Sequence, residues 1–262
     1  TIRNLRLNKY GNYDHIGLFG AIRDSKVHDV KIIPDKEVKG NDRIGTVVGY
    51  AVDSEVRNVT VKNAALNTSG IAGGIAGEIS GTVIENTICD NVIIDAQAGN
   101  EVIYIGGVAG IASDSVIADC DVATGTGNTA RIQGTGYTGG IVGFQNSTDI
   151  YNVHVNGTIG GCHSTAIGGI TGNYVSGKLK VARFEGSIGN SQLGSMAREG
   201  TFIGTRQGAA TNFNYIDDVA YLFANSESKI SANVCGSEIA DDNDYTYAAH
   251  IGYWHSSDLH YT

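Results

Sequence analysis

The chain is 262 residues long, with 37 glycines, one proline, 41% apolar residues and a formal net charge of −9. Nucleic acid and anionic membrane surfaces are poor partners for such a chain, because both need clustered Lys and Arg and no cluster occurs. No run of 18 apolar residues offers a transmembrane helix, and the apolar residues recur too regularly for a disordered linker.

Pattern begins at once, with Ile2-Arg3-Asn4-Leu5-Arg6-Leu7, and the first glycine cluster follows as Ile16-Gly17-Leu18-Phe19-Gly20. A looser copy ends at Gly49. Gly73-Gly74-Ile75-Ala76-Gly77, Gly106-Gly107-Val108-Ala109-Gly110, Gly139-Gly140-Ile141-Val142-Gly143 and Gly168-Gly169-Ile170-Thr171-Gly172 come next, and a worn copy from Phe202 to Gly208 closes the series. The final glycines therefore fall at Gly20, Gly49, Gly77, Gly110, Gly143, Gly172 and Gly208. Seven residues after each stands Val27, Val56, Ile84, Ile117, Ile150, Leu179 and, in the worn copy, Tyr215. Two positions later comes Asp29, Asn58, Asn86, Asp119, Asn152 or Asp217, with Val181 the exception. Apolar residues return three and five positions after the first, as in Val30/Ile32, Val59/Val61 and Val153/Val155.

Self-similarity at about 30 residues points to a solenoid, propeller or array. Short Val- and Ile-rich runs with apolar residues two apart are strand-like, and no helical spacing is sustained. Alternation breaks at the Asn/Asp, residues that tolerate left-handed backbone angles and suit corners. The expectation is an all-β parallel β-solenoid, a right-handed β-helix of about seven coils over residues 1–208. Residues 209–262 are expected to form a degenerate last coil and an aromatic-rich cap or junction to a following domain. Asn58, Asn86 and Asn152 are expected in a corner ladder, and the glycines at a second corner needing close backbone approach or positive φ. A propeller fits less well, since its blades need about 40 residues or more.

Gly139-Gly140-Ile141-Val142-Gly143 followed by Ile150-Tyr151-Asn152-Val153-His154-Val155 resembles the GLUG motif repeat, Gly-Leu-any-Gly followed by a strand with an Asn corner. The resemblance covers about residues 1–208. It implies an extracellular bacterial setting, because GLUG repeats occur in bacterial surface and adhesin-like proteins. They also occur in the non-catalytic N-terminal part of zinc metallopeptidases that cleave immunoglobulin A1.

Four cysteines, Cys89, Cys120, Cys162 and Cys235, show no Cys-x-x-Cys. In this register Cys89 and Cys120 face inward about 8 Å apart, beyond disulfide reach, and read as buried free thiols. Asp24-Ser25, Asp53-Ser54 and Asp114-Ser115 sit at equivalent places, but Gly81-Thr82 interrupts the carboxylates, so turn residues are expected there and no metal. The longer variable segments, Asp95-Ala96-Gln97-Ala98-Gly99-Asn100 and Gly125-Thr126-Gly127-Asn128, should form loops on one face, the usual binding face of a repeat protein.

Tyr104 and Tyr137 each precede a final glycine by six residues and should stack, as a cross-strand ladder or as a sugar platform. The C-terminal part is rich in aromatics, among them Tyr253 and Trp254, which suit a cap or a ligand site. His255 and His260 lack the Glu of His-Glu-x-x-His. A lyase-like groove would have to come from Asp114, Asp119, Asp121 or Asp149. No nucleophile elbow or P-loop occurs, and no catalytic residue, cofactor or metal is expected. The reading is a non-catalytic module of a bacterial surface protein, an adhesin or presenting stalk, continuous with further domains and taking a host protein or glycan as ligand. The alternatives are a substrate-positioning domain of a GLUG-bearing metallopeptidase and a carbohydrate-binding or carbohydrate-active β-helix.

Overall fold

The computed structural model describes residues 1–7, 14–35, 37–96, 103–125, 131–160, 165–188, 198–206, 219–225 and 251–254. Every element among them is a β-strand, and every pairing is parallel, between one coil and the next. The chain is a β-solenoid.

The coils from Lys26 to Asn146 run through the same four strands, and in the next two the long and short strands fuse into Asp149–Ile159 and Leu179–Ile188. A long strand, such as Glu55–Lys62, Val83–Asp90 or Val116–Ala123, and a short one, such as Ala65–Thr68, Ile93–Ala96 or Arg131–Gly134, belong to a 13-stranded sheet. An approach strand such as Tyr104–Gly106 or Tyr137–Gly139 leads into the glycine cluster. A return strand such as Ala109–Ser113 or Val142–Asn146 leads out of it. Approach and return strands each form a seven-stranded sheet. Seven rungs span about six turns, slightly fewer than the seven coils expected.

The interior is a set of apolar ladders. Val27, Val56, Ile84, Ile117, Ile150 and Leu179 are in register and buried. Beside them run Val59, Thr87, Cys120, Val153 and Ala182, then Ile32, Val61, Cys89, Val122, Val155 and Phe184. From the other wall Val47, Ile75, Val108, Ile141, Ile170 and Phe202 close the core.

The long strand bends where sequence alternation breaks. Asn4, Asp29, Asn58, Asn86, Asp119 and Asn152 all have φ between 47° and 58°. Their side chains bond along the axis: the Asn86 amide donates to Asn58 at 2.7 Å, Asn58 to Asp29 at 2.9 Å, and Asn152 to Asp119 at 2.5 Å. Val181 holds the same backbone at φ 55°, exposed and β-branched, a genuine outlier for such a residue.

A second corner repeats before each long strand, at Asp24, Asp53, Gly81, Asp114 and Ser147, again with positive φ. The residue after each is a hydroxyl. Ser25, Ser54, Thr82, Ser115 and Thr148 each donate to the carbonyl two residues back. Each of the last four also accepts from the backbone N–H of its counterpart on the preceding rung, at 3.1–3.3 Å. Gly81-Thr82 therefore continues the corner, because the corner needs a left-handed residue and a hydroxyl, and a carboxylate is optional.

The motif glycines work by close approach alone, since none of those described has positive φ. A methyl at Gly143 would lie 2.3 Å from the Ile105 nitrogen, and one at Gly140 2.1 Å from the Gly169 carbonyl oxygen. The last rung corrects the sequence reading. Thr171 pairs with Ile203 and Asn173 with Thr205, which puts Gly204 in line with Gly172. A methyl at Gly204 would meet the Ile167 backbone at 2.7 Å, so the confined position falls at 204 and the motif copy is Gly200-Thr201-Phe202-Ile203-Gly204. Gly208 lies outside the described residues, as do Tyr215 and Asp217. Val219 takes the place opposite Leu179. Strands Val219–Asn225 and Ile251–Trp254 extend the long sheet beyond residue 208.

Three substitutions test these constraints. Val181→Asn should relieve the left-handed strain, place an amide beside Asn152, and raise stability by about 1 kcal/mol in urea titrations; an unchanged midpoint would contradict the strain. Gly143→Ala should cost about 3 kcal/mol. Gly20→Ala, on the first rung with its nearest atom 3.3 Å away, should stay within about 0.5 kcal/mol of wild type, and equal losses would refute the confinement.

Candidate functional site

The approach and return sheets meet at the glycine edge, and their outward side chains form a seam along it. Tyr104 and Tyr137, in register on adjacent approach strands, stack with centroids 5.4 Å apart and planes 11° from parallel. Phe144 meets Tyr104 edge-on at 5.1 Å. Burial, and secondly the Tyr137 hydroxyl, raise the Tyr104 pKa. Earlier on the seam His15 stacks on Tyr50 at 5.5 Å, and Arg43 pairs with Glu78 beneath the Tyr50 ring. The expected tyrosine stack is present, with the paired faces spent on each other: the rings close the seam. Tyr253 and Trp254 end a strand that pairs with Ala224 and Asn225; their side chains lie outside what is described.

Three of the four acids considered for a groove are engaged by neighbouring groups. Asp114 occupies a left-handed corner and Asp119 accepts from Asn152. Asp149 accepts the Tyr151 hydroxyl at 2.7 Å and the Lys178 backbone N–H at 3.0 Å. Burial, then the bond to Asp149, raises the Tyr151 pKa; the Asp149 charge raises that of Lys178. Asp121 faces His154 Nδ1 at 3.3 Å, while Glu185 takes Nε2 at 3.1 Å and also the Arg183 guanidinium. These contacts make a surface charge ladder along successive rungs.

Cys89 and Cys120 are buried free thiols; Cys162 and Cys235 lie outside the described residues. Burial pushes the Cys89 thiol far up, with a smaller push from Cys120. Burial pushes Cys120 up to about 11, against the opposing bond from the Thr87 hydroxyl at 3.2 Å.

The ends of the short strands hold a feature that sequence reasoning did not reach. Where the short strands of three successive coils end, Lys39, Gly40, Asn41, Asn67, Thr68, Ser69 and Asp95 line an open cleft of about 320 Å³. Lys39, Asn67 and Asp95 are in register on neighbouring rungs. Asp95 and Ala96 end a short strand, and Gln97–Asn100, like Thr126–Asn128, lie outside the described residues. The signal available in sequence was the alignment of Lys39, Asn67 and Asp95, each a polar residue following the inward apolar residue of a short strand.

The chain matches no family model, no curated protein and no solved structure.

The thiols predict an alkaline weakness. Their folded pKa values are raised, so the stability they contribute is complete below the unfolded value near 9 and is lost as pH climbs toward about 11. Between about pH 8 and about pH 10 the wild type should lose more stability in urea titrations than Cys89→Ala/Cys120→Val; parallel loss in both proteins would contradict the assignment.

Proposed function

We propose that this chain is a non-catalytic β-solenoid module of a bacterial surface protein, an extracellular stalk that presents a binding face. The observation that carries the reading is the use made of its outward polar groups. Three of the four acids that a polysaccharide-cleaving groove would draw on, Asp119, Asp121 and Asp149, are bound by groups of the neighbouring rung. General acid–base pairs need carboxyls placed across a substrate with their acidities tuned apart. Here Asp119 and Asp149 act as acceptors for the neighbouring rung.

The extracellular bacterial setting is supported by the likeness of Gly139–Gly143 and Ile150–Val155 to the GLUG repeat. A stack of parallel coils, each pairing with the next, is the form a presenting element takes.

Antibodies raised against the 262-residue chain should label intact source cells. Labelling that appears only after lysis would overturn the surface assignment. Incubation with neutral and acidic polysaccharides should release no new reducing or unsaturated ends, and release of either would overturn the non-catalytic assignment.

A further inference from the structure

The cleft at the ends of the short strands has a definite chemistry. Lys39, Asn67 and Asp95 form one row across three rungs, spanning about 10 Å at the usual strand spacing. Asn41 and Ser69 form a second row, held together by the Ser69 hydroxyl donating to the Asn41 carbonyl at 3.2 Å. Thr68 accepts the Gly70 N–H at 3.0 Å. The floor is fixed by packing: a methyl at Gly70 would lie 2.4 Å from the Asn41 carbonyl oxygen, and one at Gly40 2.1 Å from the Ile16 side chain. The rim is thus an array of donors and acceptors on a rigid base.

Each common class of ligand can be weighed against that array. An aromatic or apolar ligand needs apolar lining, and every lining residue but Gly40 carries a polar side chain. Phosphate or sulfate would meet the Asp95 carboxylate, while the Lys39 ammonium is already paired with Glu37 at 2.6 Å. A divalent cation would find one carboxylate and an ammonium on the same row, against the six or more oxygens that calcium takes. A neutral polyhydroxyl ligand suits the array, because each hydroxyl both donates and accepts, and the side-chain amides, hydroxyls and carboxylate supply the complementary partners.

We propose that this cleft binds a neutral saccharide, a short stretch of glycan lying across the rungs from Lys39 to Asp95. The Asn67 amide, exposed at the middle of the row, bonds the central sugar, and the Asp95 carboxylate accepts from hydroxyls at one end. The inference deepens the binding part of the proposed function by naming the ligand class and its place.

The test uses the full 262-residue chain with cellotetraose, mannotetraose and chitotetraose as probes in saturation-transfer NMR. At least one probe should receive saturation and shift the backbone amides of Gly40 and Ser69. Asn67→Ala and Asp95→Asn should each weaken that binding about tenfold or more, with melting temperatures read in parallel. Should Asp95→Asn melt early, Asn67→Ala decides, since that side chain is exposed. Silence with all three sugars would overturn the proposal. So would binding that both substitutions leave intact, or shifts at the cleft amides from calcium chloride or sodium phosphate in place of sugar. Cleavage of a bound tetrasaccharide would sink the non-catalytic reading and leave the cleft assignment standing; failure of all sugars on a surface-exposed chain would sink the cleft alone.

Discussion

In a parallel, in-register stack every side chain meets its own positional counterpart about 4.8 Å away on either side. The residue types this chain tolerates follow from that repetition. Branched apolar residues pack on copies of themselves, hence Val56, Ile84, Ile117 and Ile150 in one column. Asparagine carries donor and acceptor together and chains without a partner of another kind, as at Asn58 and Asn86. Hydroxyls at Ser54, Thr82 and Ser115 do the same with backbone groups. On the outer face of the long strands unlike charges stack: Lys26 lies over Glu55, Arg57 over Glu85, Lys62 over Asp90. Each such pair is exposed and weak on its own; its value is to avoid the repulsion a uniform column would bring.

Much of this order was legible because it repeats. The fixed interval from Gly77 to Ile84 or Gly143 to Ile150 named the inward column, and the break at Asn86 or Asn152 named the bend. Legibility failed where the interval failed. After Gly172 the sequence pointed to Gly208, because Gly208 is followed by an apolar residue seven positions on. Steric confinement chose Gly204 instead, and the long strand resumes at Val219. The hydroxyl column was visible as recurring Asp-Ser pairs, yet the carboxylate drew attention although the buried oxygen holds the corner. The glycines offered two physical explanations, positive φ and close approach, and only coordinates separate them, since both demand the same residue.

The candidate site divides in the same way. The Tyr104–Tyr137 stack could be counted from the glycines, because both lie within the regular half of the repeat. The polar cleft was not read, although Lys39, Asn67 and Asp95 follow Gly20, Gly49 and Gly77 by nearly equal intervals, because three unlike side chains at one position look like variation and not a repeat. Sequence periodicity reports what every coil shares. A binding surface depends on the differences: Lys39, Asn67 and Asp95 occupy one column with three unlike side chains.

The hydrogen bonds between rungs run along the solenoid axis, while the strands run across it. A force pulling the two ends apart therefore opens one rung's bonds at a time and peels coils in sequence, unlike a fold whose strands lie along the pull and shear together. The final glycines on successive rungs are 28 to 33 residues apart, so each coil that peels would release roughly 100 Å of extended chain. A stack built this way yields at low tension, lengthens in steps, and can wind back coil by coil onto the rung that remains.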